Sequence, residues 1–329
     1  MNSRTTNTEV DRRYMRGMEP DWQRCDEIAR HHGRTFYFAS RCLPRAQRQA
    51  VVATYAYCRI ADDIVDTADE SGREAALRSL DAWENEIAHP KHPVAIAFAV
   101  ARDRFDMPEQ PVYDLIAGVR MDLETSRYGN WEELRSYCYH VAGTVGLMVA
   151  PILGCKSDAA LTHAADLGIA MQMTNILRDV GEDARHGRLY LPLDEIAEFG
   201  CTEHAILAGE PEPGFVSLMQ FQIERARSLY ASAHRGIPAL DVYGRFTTLI
   251  ASDLYARILS EIEANQYDVF ECRAHCSTKK KILAIPKISA RFVRTSLYSP
   301  PLEIGPLDPP SGRGGTRKSF SSPEQRTYG

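Results

Sequence analysis

Two stretches of the chain carry side chains whose types and spacing suit chemistry. In Tyr55-Ala-Tyr-Cys-Arg-Ile-Ala-Asp-Asp-Ile-Val-Asp66, the residues Tyr55, Arg59, Asp62 and Asp66 advance by four, three and four. On a helix they form one stripe. In Gln172-Met-Thr-Asn-Ile-Leu-Arg-Asp-Val-Gly-Glu-Asp183, the residues Gln172, Asn175, Asp179 and Asp183 advance by three, four and four and make a second stripe. Aspartates four apart on a helix repel by a few tenths of a kcal/mol, so each stripe works against its helix unless a cation neutralises it. Magnesium is a hard ion that takes one or two carboxylates and completes its shell with water and phosphate oxygens. Two acidic stripes facing each other across a cleft suit it.

A lone stripe of this kind reads equally as a solvated helix face. Ala53, Ile60, Ile64 and Val65 surround the first stripe, and Ile169, Ile176, Leu177 and Val180 the second, which leaves little of either helix for bulk water. The carboxylates are therefore expected to point into an interior cavity, where unneutralised charge is costly.

The elements that must hold these stripes read as helices. The periodicity predicts helices over 21–30, 94–105, 112–125, 215–234, 246–265 and 277–297, one beginning at Ser157 or Asp158 and stopping near Gly187, and one opened by the capping-box pair Ser71 and Glu74 and closed by Pro90. Asn130 and Glu133 start another, which carries Tyr137-Cys-Tyr-His-Val-Ala-Gly-Thr-Val-Gly-Leu-Met148. Interior glycine costs a helix about 1 kcal/mol relative to alanine, so Gly143 and Gly146 mark either close helix packing or a helix thinned to admit a long apolar ligand. Hairpin signals and sustained alternation are missing. The expected fold is all-α, one helical bundle with its site in the core between facing helices. Residues 1–20 read as a polar tail, 21–297 as the helical domain, and 298–329, rich in Pro, Gly and Ser, as a disordered tail.

Composition narrows the function. The 329 residues are 44% hydrophobic and 25% charged with a formal net charge of -5, which suits a globular chain and gives no footprint for nucleic acid. The cysteines include no CxxC pair, as expected in a reducing compartment, and Cys272, His275 and Cys276 lack the second ligand pair a zinc site needs. Acidic residues at 9, 11 and 19 separate the first twenty residues from secretory and transit peptides, and the longest apolar run, 141–154, is interrupted by glycines and Pro151. A cytoplasmic location is expected, with peripheral contact at the inner membrane face through the last helix, which carries Lys279, Lys280, Lys281, Lys287, Arg291 and Arg294. Arg34, Arg41, Arg45 and Arg48 precede the first stripe, as either a cationic approach for an anionic substrate or a solvated surface. Arg185, His186 and Arg188 follow the second, as either a flap over a phosphate or an ordinary cationic helix end. Acidic stripes, arginines and small apolar walls together fit a ligand with a diphosphate head and a hydrocarbon tail. A buried prenyl tail contributes about 0.8 kcal/mol per CH2, and aromatic faces such as Tyr55, Tyr137 or Phe36 suit an allylic cation.

At Tyr55-x-x-Cys-Arg-x-x-Asp-Asp-x-x-Asp66, Tyr137-Cys-Tyr-x-Val-Ala-Gly-Thr-Val-Gly146 and Asn175-Ile-Leu-Arg-Asp-Val-Gly-Glu-Asp-x-x-x-Gly-Arg-x-Tyr-Leu-Pro192, the sequence resembles the squalene/phytoene synthase family, over about residues 32–285. The resemblance implies an all-α isoprenoid synthase fold and a magnesium-dependent head-to-head condensation of two prenyl diphosphates through a cyclopropyl intermediate, manganese being an acceptable substitute. It also implies roles. Asp62, Asp66, Asn175, Asp179 and Asp183 would hold metal directly or through water; Arg59, Arg178, Arg273 and Lys281 would hold diphosphate oxygens; Tyr55, Tyr137, Gln172 and Tyr255 would sit near the reacting carbons. The motif Glu261-Ile-Glu-Ala-Asn-x-Tyr-Asp-Val-Phe270 and the unbroken 175–192 block are most similar to the phytoene-forming branch, which joins two geranylgeranyl diphosphates without NADPH. The alternatives are a sibling making a C30 product from farnesyl diphosphate, a chain-elongating transferase or cyclase, and a non-catalytic assembly factor of the same fold. Oligomeric state has no signal in the sequence.

Overall fold

The structure is a computed structural model that describes residues 20–66, 72–275 and 277–298. Among the described residues it is helical throughout, with no strand. The helices are α1 (Trp22–His32), α2 (Arg34–Ser40), α3 (Arg45–Asp66), α4 (Arg73–Ala88), α5 (Pro93–Arg104), α6 (Gln110–Glu124), α7 (Trp131–Cys138), α8 (Thr144–Ile152), α9 (Asp158–Arg185), α10 (Leu193–Glu198), α11 (Glu203–Ala208), α12 (Phe215–Gly236), α13 (Val242–Ala264) and α14 (Thr278–Tyr298). The expected 1–20 tail, Ser71 of the capping box, Cys276 and the 298–329 tail lie largely outside the described residues.

Local chemistry explains most of the boundaries. Asp21 caps α1 by accepting from the Arg24 amide at 2.7 Å, Asn130 caps α7 through the Glu133 amide at 3.0 Å, and Asp241 caps α13 through the Gly244 amide at 2.7 Å. The Asp241 cap starts α13 four residues before the expected Phe246. Six-residue helices α10 and α11 are too short to show a periodicity and were not expected from sequence.

Helices α3 and α9, of 22 and 28 residues, carry the two stripes. One apolar core forms around α3, where fully buried Tyr57 stacks between Trp83 and Phe98 at ring distances of 4.8 and 4.3 Å. Its hydroxyl donates to the Trp83 carbonyl at 3.2 Å, and the Trp83 indole donates to the Tyr57 carbonyl at 3.3 Å, so burying these polar groups leaves neither orphaned. A second core forms around α9, α12 and α13, with Met173, Leu177, Leu218, Met219 and Leu259 fully buried.

Between α7 and α8 the chain makes a wider, π-type turn at Tyr139–Gly143 where sequence predicts an uninterrupted helix. The glycines that follow are packing residues. A Cβ on Gly146 would stand 2.1 Å from the Ala164 carbonyl oxygen, and one on Gly168 would stand 2.1 Å from that of Ala142. The π turn and α8 thus cross α9 at backbone contact, and reciprocal glycines permit it. Close packing, one of the two readings open at the sequence level, accounts for these positions; Val141, Ala142, Val145, Gly146 and Val149 of the same segment also line the main cavity.

Candidate active site

A cavity of about 780 Å³ runs between the two cores, walled by α2, α3, the π turn, α8, α9, α13 and the 273–281 segment. Of the thirteen side chains singled out from sequence, nine line it: Tyr55, Arg59 and Asp62 from α3, Gln172, Asn175 and Arg178 from α9, Tyr255 from α13, then Arg273 and Lys281. Asp62 and Val51 both face it, so at 1.5 Å per residue the cavity follows α3 for about 16 Å. Charged groups gather at the Asp62 end; Val51, Val145, Val149 and Leu153 are among the apolar groups of the remaining wall. Tyr55 stacks on Phe36 at 5.1 Å, giving that wall an aromatic face.

The remaining four, Asp66, Tyr137, Asp179 and Asp183, do not line the cavity. Tyr137 is buried, and its hydroxyl donates to Asp122 Oδ2 at 2.9 Å while Tyr190 donates to Asp122 Oδ1 at 3.0 Å. The rings of Tyr128, Tyr137 and Tyr190 stack at 5.2–6.0 Å around that carboxylate. Asp122 was missed by the sequence reading. It stands on α6 with no acidic partner at helical spacing, and only the fold brings it to α3 and α9.

Electrostatics divide the site. Burial pushes the Asp62 carboxyl up to about 8; Arg59 opposes the rise and Asp66 and Asp122 add to it. Burial likewise pushes Asp183 up to about 7, with the Asp179 charge adding and Arg188 opposing, and pushes Asp122 up to about 6 against the hydrogen bonds of its two tyrosines. Asp179 behaves oppositely. Burial raises it, but Arg178 and Arg273 together hold it below the usual carboxylate range. Arg178 grips both Asp179 oxygens, at 2.8 and 2.5 Å, and Arg273 Nε reaches Oδ1 at 2.8 Å and Glu182 at 3.3 Å.

Other contacts set the remaining groups. Arg59 pairs with Asp63 and reaches Asp66 Oδ2 at 3.3 Å, while its Nε is buried with no hydrogen-bond partner. Tyr255 donates to Asn175 Oδ1 at 3.1 Å, and Asn175 Nδ2 donates to Gln172 Oε1 at 3.4 Å, so the three polar groups of the wall are mutually oriented. Of the cations after α9, Arg188 alone faces the carboxylates, 3.9 Å from Asp66; Arg185 donates to the Phe270 carbonyl at 3.2 Å, and His186 contacts the Glu182 carbonyl. The flap reading thus narrows to Arg188. Of the four arginines ahead of the first stripe, Arg34 lines the cavity and Arg48 is engaged by Asp26 and Tyr37 at 2.9 and 2.8 Å.

Gly181 positions the cover. A Cβ there would stand 2.4 Å from the Val269 carbonyl oxygen and 2.6 Å from Phe270 Cα. The segment leading to Arg273 therefore rests directly on α9 beside Asp179 and Asp183, held by the Arg185 bond.

The donor set fits a hard divalent cation. It consists of carboxylate and amide oxygens, and two of the carboxyls, Asp62 and Asp183, are raised by burial despite Arg59 and Arg188. Among the described residues, no three His, Cys, Asp or Glu side chains converge tightly enough to hold a metal by themselves. A cation here would complete its shell with water and ligand oxygens.

A helical bundle around an elongated cavity, charged at one end and apolar along the rest, fits an all-α isoprenoid synthase. Residues 29–280 match the model of the squalene/phytoene synthase family, and the chain belongs to that family and is a prenyltransferase. It is similar to a phytoene synthase of Arthrospira platensis, 43% identical over 82% of this chain and 93% of that protein. It is similar also to a 15-cis-phytoene synthase of Synechococcus elongatus, 38% identical over 83% and 94%. A crystal structure of a dehydrosqualene synthase in complex with ligand superposes with a TM-score of 0.78 at 29% identity, covering 87% of this chain and 99% of that one.

Proposed function

We propose that the chain condenses two geranylgeranyl diphosphates head to head (1'-1), through a cyclopropyl prephytoene diphosphate, to phytoene with release of two diphosphates. The observation that carries this reading is the single cavity whose polar end combines Asp62, Asn175, Arg59, Arg178, Arg273 and Lys281 and whose long wall is apolar. The choice of a C20 over a C15 substrate rests on the phytoene-forming relatives, about 40% identical, against 29% for the dehydrosqualene synthase.

Asp62, Asp66, Asn175, Asp179 and Asp183 would hold magnesium, directly or through water. When bound, the metal supplies charge neutralisation to the diphosphate leaving group. The chain's own part is electrostatic and geometric. Arg59, with an unpartnered buried Nε, and Arg178, Arg273 and Lys281 at the rim bind diphosphate oxygens and favour its departure. Departure of Arg178 and Arg273 toward diphosphate frees Asp179. The Tyr55–Phe36 stack presents aromatic faces to the allylic cation, and the apolar wall keeps water from it. Tyr137 acts through Asp122, which it orients together with Tyr190. The reaction consumes no NADPH.

The test is to incubate purified protein with magnesium and either geranylgeranyl or farnesyl diphosphate, with and without NADPH, and to identify the extracted products by mass. A C40 hydrocarbon from geranylgeranyl diphosphate without NADPH is expected. A C30 product, or none, would refute the assignment. Asp62→Ala and Asp179→Ala are each expected to abolish turnover with helical circular dichroism retained; activity in either would remove the two-stripe site.

A further inference from the structure

A second cavity, of about 610 Å³, opens between α12, α13 and α14, away from the carboxylate stripes. Its cations are Arg227, Arg257, Lys287, Arg291 and Arg294, against one lining carboxylate, Asp253. Arg291 pairs with Asp253 at 2.9 Å, and Arg227 pairs with Glu263 through bonds of 2.8 and 2.5 Å. Arg257, Lys287 and Arg294 have no carboxylate partner among the described residues, and Arg257 Nε is shielded from solvent without a hydrogen bond. Three uncompensated cations facing one concavity repel one another, so the site favours an anion with several acceptor oxygens.

The outer surface of α14 says which anion. Leu283, Lys287, Ala290 and Arg294 advance by four, three and four and form one stripe; Ile282, Pro286 and Val293 form the stripe beside it. Ala284 and Ile288 on the opposite side are buried against the bundle. Leu283 is 77% exposed, Ile282 58% and Val293 52%, so large apolar groups stand in solvent on the same helix that supplies Lys287 and Arg294 to the basic cavity. Of the other cations expected on this helix, Lys280 pairs with Glu261 and Lys281 lines the first cavity. Exposed apolar residues beside a row of cations match the interface of an anionic bilayer, with hydrocarbon below and phosphates at the level of the charges. No helix among the described residues is long and apolar enough to cross a membrane, so α14 would lie in the interface plane.

We propose that this cavity binds the phosphate of an anionic phospholipid headgroup and docks the chain on a membrane through α14. The proposal holds whichever prenyl diphosphate the first cavity accepts. It gives an insoluble hydrocarbon product a bilayer at hand.

The test is sedimentation of the purified full-length chain with vesicles of phosphatidylcholine alone and of phosphatidylcholine mixed with phosphatidylglycerol. Binding is expected to the mixed vesicles and to weaken with added salt. In the triple variant Arg257→Gln, Lys287→Gln, Arg294→Gln it should fall on the order of 100-fold, at about 1 kcal/mol for each cation near the surface. Turnover of detergent-dispersed substrate should not change, since none of the three residues lines the first cavity. Should the triple variant misfold, Arg257→Gln alone is expected to weaken binding about 5-fold, and Leu283→Asp to weaken it without removing a cation. Equal binding to both vesicle types, or undiminished binding by the triple variant, would overturn the proposal. Inorganic phosphate binding that the triple variant loses, with no vesicle binding by the parent chain, would make this a site for a free anion. No binding to either vesicle or to phosphate would leave the basic face to an acidic protein.

Discussion

Magnesium binding should expel protons, and the number is set by two side chains. Asp62 is pushed up to about 8 and Asp183 to about 7, chiefly by burial. At pH 7 the first carboxyl is then about nine-tenths protonated and the second about half, so a cation that needs both ionised releases about 1.4 protons and gains about 25-fold in apparent affinity per pH unit. At pH 9 the release falls to about 0.1 proton. Titration calorimetry with magnesium in buffers of different ionisation heats measures the number directly. Asp62→Asn removes the larger contributor, so release at pH 7 should drop to about 0.5. A release near zero at pH 7 in the parent chain, or an unchanged release in the variant, would refute the reasoning.

The same two groups fix the direction of the stability change. Their carboxyls are raised above the ordinary value of 3.8, so the metal-free fold binds more protons than the unfolded chain. Their contribution is full below the ordinary carboxyl value of 3.8 and is lost progressively as pH rises from there through 7 to 8. Thermal melting of metal-free protein should therefore decline between pH 5 and pH 8, and added magnesium should raise the melting temperature most at the alkaline end.

Three further outcomes follow from particular contacts. Arg273 is 59% exposed while Arg178 is 18% exposed, so Arg273→Ala should mainly raise KM, whereas Arg178→Ala should lower kcat on the order of 100-fold; steady-state kinetics with circular dichroism as control separates the two. Gly168→Ala drives a Cβ into the Ala142 carbonyl and should cost at least about 3 kcal/mol, whereas Gly187→Ala, with φ of +70° and open space around it, should cost about 1 kcal/mol; denaturant unfolding measures both. Thr248→Phe adds bulk to the cavity wall, and should depress turnover of geranylgeranyl diphosphate at least about 10-fold more than that of farnesyl diphosphate if the tail extends along that wall, as competition assays would reveal.

What was legible in the sequence was whatever repeats at helical spacing. Tyr55, Arg59 and Asp62 line the cavity because they share a face of α3, and Gln172 and Asn175 do so from α9. Contacts across the fold left little trace. Asp122 is one of three acids on a helix of ordinary amphipathic character, and its role exists only once Tyr137 and Tyr190 meet it from 15 and 68 residues away. Gly181 sits in plain view within the second stripe, yet its reason is the Val269 backbone, which spacing cannot place. The π turn was hidden for another reason: at five residues it is too short to show its own period in the sequence.

The uneven charge across the cavity mouth bears on how such a site stays folded between turnovers. Ionising all of Asp62, Asp66, Asp122, Asp179 and Asp183 together would place several like charges in a poorly solvated space. The chain divides the problem. Asp179 stays ionised because two arginines hold it, while Asp62 and Asp183 hold protons near neutral pH because burial outweighs Arg59 and Arg188. Arg178 and Arg273 are counter-ions of Asp179 in the ligand-free chain, and in the proposed reaction they would become ligands of diphosphate. In the proposed reaction, a diphosphate bringing its own cation would replace them on Asp179 and would favour ionisation of Asp62 and Asp183, so charge in the site would remain near balance. An uncharged prenyl chain offers neither partner in that exchange, and would enter only the apolar wall.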